Sequence, residues 1–292
     1  MKKINAKDYR VDGRIKLDKI PTKVDLGLNE DELKDELKDV RKDLGEFQDT
    51  QYAHDSYATL VCLQGMDTSG KDSLIREVFK QFNSRGVEVT SFKVPTELEL
   101  SHDYLWRHYL KLPQRGMFGV WNRTHYENVL VTRVHPEYIM AEKIPGVTSV
   151  DDVDKAFWDS RFEQIRNFER HLVQNGTVVC KFYLHLSKEE QKRRLLRRLD
   201  KPEKNWKFSA GDLKERKLWE EYMECYEDAI ERTSTDDAPW FIVPADDKPT
   251  ARLIVASILK DVMTNKKDIT EPTLSEKDQA KLEEYRAQLE GE

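Results

Sequence analysis

The stretch LVCLQGMDTSGKDSLIREVF, residues 60 to 79, decides the fold. An apolar run ends at Gly65 and a helical pattern opens at Lys71. Between them, Gly65, Gly70 and Lys71 fit the phosphate-loop spacing G-x-x-x-x-G-K. Such a loop aims backbone N–H groups at one point, and the helix that follows adds partial positive charge there. Lys71 adds a mobile cation. The expectation is a phosphate cradle made of Gly65, Met66, Thr68, Ser69, Gly70 and Ser73. A plain strand-to-helix turn with a surface lysine is the alternative, and the flanking strand and helix weigh against it. One position departs from the pattern. Where Ser or Thr should follow the lysine stands Asp72, and a second acid, Asp67, lies inside the loop.

The same change of pattern recurs outward from this stretch. Apolar runs YATLVCLQG (57–65), GVEVTSFKV (86–94), GMFGVWN (116–122), GTVVCKFYLHL (176–186) and PWFIVPA (239–245) read as buried parallel strands. Helical stretches at 71–83, 101–111, 151–174, 188–199, 211–232 and 249–263 lie between and after them. This alternation predicts an α/β chain with a five-stranded parallel sheet flanked by helices. Upstream, NEDELKDELKDVRKDLGEFQ (29–48) predicts a charged surface helix with Leu33, Leu37, Val40 and Leu44 on one stripe and Asn29 as its cap. Residues 1–50 thus read as an arm and a helix, 51–265 as the main domain, and 266–292 as a charged peripheral helix.

The 292 residues are 36% charged and 38% hydrophobic, a polar composition that still allows a sizeable core. No apolar run reaches the roughly 18 residues that span a bilayer. The opening MKKINAKDYRVDGRIK has no apolar core of the kind a signal peptide carries. Cys62, Cys180 and Cys225 suggest no disulfide framework, and the first two read as small core residues of strands. A reducing cytoplasm and no membrane partner are expected. The net charge of −6 argues against a general nucleic-acid binder. Local charge differs: KRRLLRRLDKPEKNWK (192–207) holds eight basic and two acidic residues, a local excess of +6. A spacing of four sets Arg193 with Arg197 and Arg194 with Arg198 along one helix, next to a hinge-like DKPEKN.

The loop GMDTSGKD resembles that of the polyphosphate kinase 2 family. FKVPTELELSHDYLWRHYLKLPQRGMFGVWNRTHYENVLVTRVHPE (92–137) resembles the family's second block. HLSKEEQKRRLLRRLDKPEKNWKFSAGDLKERKLWEEYMECYEDAIERTSTDDAPWFIVPADDKPTAR (185–252) resembles its lid and final strand. Together these cover roughly residues 30 to 265. The resemblance implies a thymidylate-kinase-like, three-layer P-loop kinase fold with a helical lid at about 188–210. It also implies magnesium-dependent phosphoryl transfer between inorganic polyphosphate and nucleotides, by a homo-oligomer (dimer or tetramer). There is one departure. Many members carry Asp-Arg-Ser at the end of the third strand, whereas this chain has WNRTHYE, with Asn122 in place of the acid. The branch that accepts both mono- and diphosphates resembles this version.

Polyphosphate and nucleotides are both polyanions, so their transfer chemistry needs positioning and neutralisation more than covalent help. Magnesium takes oxygen ligands, and the resemblance places Asp67, Asn122 and Asp72 around it, with Glu127 nearby. Read alone, Asp67 is a turn-stabilising acid and Asp72 a helix-dipole partner. Arg123, at a strand end facing the ligand crevice, can clamp a phosphate with two parallel hydrogen bonds; a surface ion pair is its alternative. Lys93 holds the corresponding place after the second strand. Arg133, Arg193, Arg194 and Arg197 join the phosphate-binding set. Asp67, Lys71, Asn122, Arg123 and Arg198 make up the catalytic set. His135 reads as structural, and Trp206, Phe208, Trp219 and Tyr222 as packing at the lid base. The expected activity is phosphoryl transfer between polyphosphate and AMP/ADP (or GMP/GDP), giving nucleoside di- and triphosphates. An ATP-dependent nucleoside monophosphate kinase on the same fold and a non-catalytic polyphosphate-binding regulator are the alternatives.

Overall fold

The computed structural model describes residues 4–292. The five apolar runs form β1 (Ala58–Gln64), β2 (Val87–Ser91), β3 (Phe118–Asn122), β4 (Thr177–His185) and β5 (Trp240–Pro244). All neighbours are parallel, in the order β2-β3-β1-β4-β5. The helices in chain order begin with α1 (Glu30–His54), α2 (Lys71–Val78), α3 (Glu97–Leu100), α4 (Trp106–Tyr109), α5 (Val131–Val134) and α6 (Lys155–Gln174). They continue with α7 (Lys188–Asp200), α8 (Pro202–Asn205), α9 (Ala210–Lys217), α10 (Trp219–Thr233), α11 (Lys248–Thr264), α12 (Glu276–Gln279) and α13 (Leu282–Glu290).

Strand periodicity builds the three layers, because successive side chains point to opposite faces. Val61 and Leu63 of β1 join a core shared with Leu37 and Leu44 of α1, Leu74 of α2 and Ile254 of α11. Leu60 and Cys62 join Trp121, Phe168 and Leu172 on the other face, where α6 packs. A third cluster sets Tyr183, Trp240 and Ile242 against Tyr222, Tyr226 and Ile230 of α10. Cys62, Cys180 and Cys225 are buried free thiols. Among the described residues no helix is long and apolar enough to cross a membrane.

Several elements differ from the sequence expectation, each for a local reason. Asn29 caps α1 through a capping box, as expected, but the helix runs on to His54. The stretch 101–111 holds only the single turn α4. Its Ser101 Oγ donates to Leu98 O and its Asp103 carboxylate accepts from Leu105 N, local bonds that compete with a helix ladder. The stretch 211–232 breaks at Leu218, because α10 carries an apolar stripe into the core whereas α9 buries nothing. The helix expected over 71–83 stops at Val78, after which Phe79 and Phe82 turn inward towards Phe118. The tail forms the two short exposed helices α12 and α13. Residues 1–3 of the expected arm lie outside the described residues. Further along the arm, Tyr9 and Val11 pair with β5, where Val11 N donates to Trp240 O and Ile242 N to Tyr9 O. That contact covers an otherwise free sheet edge.

Candidate active site

β1 lies between β3 and β4, so the loop after it opens at the centre of the sheet, where ligand crevices of parallel sheets form. Gly65 leaves β1 with φ +147°, and a Cβ there would lie 2.9 Å from both Leu184 O and Ser69 Oγ. Only glycine fits. Gly70, with φ +108°, turns the chain into α2. At the site two non-glycine residues also adopt left-handed backbone, Thr68 (φ 68°) in the loop and Arg123 (φ 60°) after β3. Such strain persists where the surroundings enforce it. Here Arg194 holds the carbonyls of Thr68 and Ser69 at 2.9 and 3.0 Å, and Arg123 N donates to Leu63 O at 3.2 Å.

Lys71 is buried, with its Nζ donating to Gly65 O at 2.6 Å. Burial first, and the Arg123 charge second, lower its pKa from 10.5 to about 8, despite the raising effect of Asp67, Glu127 and Asp72. Arg123 Nη2 donates to Asp67 Oδ1 at 2.7 Å and its Nη1 to Glu127 Oε2 at 3.3 Å. Asn122 Nδ2 donates to Asp72 Oδ1 at 2.7 Å, while its own Oδ1 is buried without a partner. Two carboxylates and Asn122, whose amide oxygen has no partner, border one cleft, a donor set that suits a hard divalent cation. Among the described residues no three His, Cys, Asp or Glu side chains gather as a ready-made metal cage. Magnesium does not require one, since it commonly keeps waters and substrate phosphates as its remaining ligands.

The cleft measures 590 Å³ and brings together Asp67, Thr68, Gly70, Lys71, Asp72, Ser73, Asn122 and Arg123 with Arg194, Arg197 and Arg198 of α7. Other expected residues stand elsewhere. Met66 turns its side chain into the core beside Tyr126, leaving only its carbonyl towards Lys71. Glu127 reaches the site through Arg123. Lys93 is exposed outside the cleft lining, its carbonyl accepting from Arg107. Arg133 is a correction: it pairs with Asp228 at 2.6 Å and lies over Trp158 and Phe162, away from the cleft. Arg193 points to solvent and pairs with Glu190. Arg194 is a correction of another kind. Its guanidinium is buried and spent on four carbonyls, Thr68, Ser69, Ala245 and Asp246, with Nε on Glu190. It braces the loop and has no N–H left for a phosphate. Together with Gln191, which donates to Asp67 O, it ties the first half of α7 to the phosphate loop. Arg197 and Arg198 lie beyond that anchor and line the cleft.

Sequence reasoning missed Glu203, Lys204, Lys207, Asp212 and Lys248, which also line the cleft. Lys248 opens α11, and burial followed by the Arg194 charge lowers its pKa to about 8. No local pattern marks it, because it arrives from the end of β5. Trp219 and Tyr222 serve packing, as expected, though in the core along α10 and not only at a lid base, but Trp206 does not. It is 78% exposed and forms part of the cleft wall.

A central glycine loop with a buried lysine, a parallel five-stranded sheet and arginines converging from β3 and α7 define a P-loop phosphotransferase. The pattern of the polyphosphate kinase 2 family matches residues 27–271, and the chain belongs to that family. An ADP-polyphosphate phosphotransferase of Rhodopseudomonas palustris is 46% identical over 268 residues, covering 91% of this chain and 92% of that protein. An AMP/ADP-polyphosphate phosphotransferase of Meiothermus ruber is 45% identical over 75% of this chain and 77% of its own length. The crystal structure of polyphosphate kinase 2 from Arthrobacter aurescens TC1 superposes with a TM-score of 0.89 at 35% identity, covering 100% of this chain and 98% of that one.

Proposed function

We propose that this chain is a magnesium-dependent polyphosphate:nucleotide phosphotransferase that accepts both nucleoside mono- and diphosphates. The observation that carries this reading is the convergence of Lys71, Arg123, Arg197 and Arg198 with two carboxylates in one cleft, in a chain of this family. Two polyanions can meet end to end only where cations surround the point of contact. Lys71 and the loop N–H groups hold the transferring phosphoryl group. Arg123, steered by Asp67 and Glu127, faces it from the end of β3. Arg197 and Arg198 bring positive charge from α7, which acts as the base of a lid. Magnesium, held by Asp67, Asp72 and the Oδ1 of Asn122, would supply the remaining charge neutralisation. The attacking group is an already ionised phosphate oxygen, so no general base is needed. A cytoplasmic location and a homo-oligomeric state complete the reading, supported by the buried free cysteines and by the family resemblance respectively.

The test is incubation of pure protein with ADP, magnesium and long-chain polyphosphate, followed by an ATP assay. ATP formation supports the reading. A strict need for ATP as donor makes the chain an ordinary nucleotide kinase, and tight polyphosphate binding without turnover makes it a regulator.

A further inference from the structure

We infer that Trp206 is the platform on which the base of the acceptor nucleotide stacks, an assignment that rests on the phosphotransfer reading above. Trp206 follows α8 directly and is 78% exposed, although tryptophan is highly buried on average. It is nevertheless held in place. Its Nε1 donates to Glu203 O at 3.1 Å. Lys207 Nζ lies 4.9 Å from the ring centroid, so a cation covers one face of the indole. The high exposure leaves the rest of the ring free for another planar partner.

Its surroundings say which partner. Trp206 borders the same cleft as Lys71 and Arg123 and is the only aromatic side chain among the described residues that line it. The rest of the lining is charged or polar. Polyphosphate is anionic along its whole length and has no planar or apolar face, so the cations alone recognise it. A nucleotide brings one group that cations serve poorly, its base. Stacking on an aromatic ring suits that group and tolerates every base, because each has a π face. Trp206 therefore supplies affinity for the nucleoside end without selecting adenine over guanine. Lys204 and Lys207 beside it offer cations to the phosphates from the same wall, next to the acidic Glu203.

Calorimetric titration of ADP and of ribose 5-diphosphate, which carries the same phosphates without a base, tests the assignment in the presence of magnesium. The unsubstituted protein should prefer ADP by about tenfold or more. Trp206→Ala should lose that preference through weaker ADP binding, with ribose 5-diphosphate and tripolyphosphate bound as before. Trp206→Phe should retain most of it. ADP affinity unchanged in Trp206→Ala, or a loss shared equally by ribose 5-diphosphate, overturns the assignment. Turnover of ADP with polyphosphate is measured alongside on the unsubstituted protein. Its absence overturns the phosphotransfer reading, whereas unchanged ADP affinity with turnover intact overturns the role of Trp206 alone.

Discussion

The Arg123 guanidinium and the Asp67 carboxylate meet at 2.7 Å, joining the end of β3 to the phosphate loop. Burial works against the charge of Arg123, but Glu127 and Asp67 more than offset it and hold its pKa above the ordinary value. Asp67 thus aims a permanent cation and offers oxygen to a metal. Asp67→Asn keeps the size and removes the charge. It should lower kcat by on the order of 10² to 10³ and raise the magnesium concentration needed for half-maximal rate. An unchanged magnesium requirement takes Asp67 out of the metal site.

Lys71 should set an alkaline limit on activity. Its pKa of about 8 lies below the ordinary 10.5, so its charge is lost as pH rises through 8. A profile of kcat/KM against pH should therefore fall with an apparent pKa near 8. Lys248 contributes to the same limb, and Lys71→Arg, which stays charged, leaves only that share. Stability runs the other way. Between about 8 and 10.5 the unfolded chain binds more protons at this lysine than the folded one, so its contribution makes folding more favourable as pH rises through that window. Lys71→Ala should cost on the order of 10² to 10³ in rate. More than a tenth of the original rate with folding intact sinks its assignment.

Arg194 and Arg198, one helical turn apart, should fail differently. Arg194→Ala leaves four carbonyls without their donor and should lower stability by about 3 kcal/mol, read as a drop in Tm. Arg197→Ala with Arg198→Ala should leave Tm much closer to the original. That double variant should raise the polyphosphate KM and flatten its salt dependence, as expected when polyanion contacts are lost. Equal Tm shifts in the two variants contradict this division. An unchanged polyphosphate KM with only the nucleotide affected moves polyphosphate off α7.

Supplying AMP, magnesium and polyphosphate without ADP or ATP should yield ADP and then ATP, followed by chromatography. The basis is the sequence NRTHYEN, in which the acid is absent at Asn122 and present at Glu127, bonded to Arg123. Glu127→Lys should alter the AMP rate far more than the ADP rate. No ADP from AMP rules out dual acceptance; equal effects on both acceptors leave the activity but remove Glu127 from its explanation.

The five strands and the phosphate loop were legible in the sequence because both are local. Periodicity, glycine placement and the distance from Gly65 to Lys71 lie within one short stretch of chain. Arg123 was legible for the same reason, since it stands at a strand end that faces the crevice, whereas Asp67 and Asp72 read locally as turn and helix-dipole acids and drew their place at the site from the family resemblance. Helix limits were less so. Leu218 breaks a run whose composition continues, and the break follows from which half of it can reach the core.

Tertiary structure decided what each cation does. Arg194 and Arg198 share a residue type and one helix, yet one is buried beneath the loop and the other borders the cleft. The difference comes from the end of β5, whose Ala245 and Asp246 carbonyls lie within reach of Arg194 alone. Lys181 is buried in β4, where Glu169 of α6 lies 2.6 Å from its Nζ and Tyr126 and Thr233 satisfy its remaining protons. A charge can be buried only where partners compensate it. Those partners come from segments far apart in the chain, so the sequence determined the scaffold and its glycine cradle, and only packing decided which cations brace that cradle and which face the phosphates.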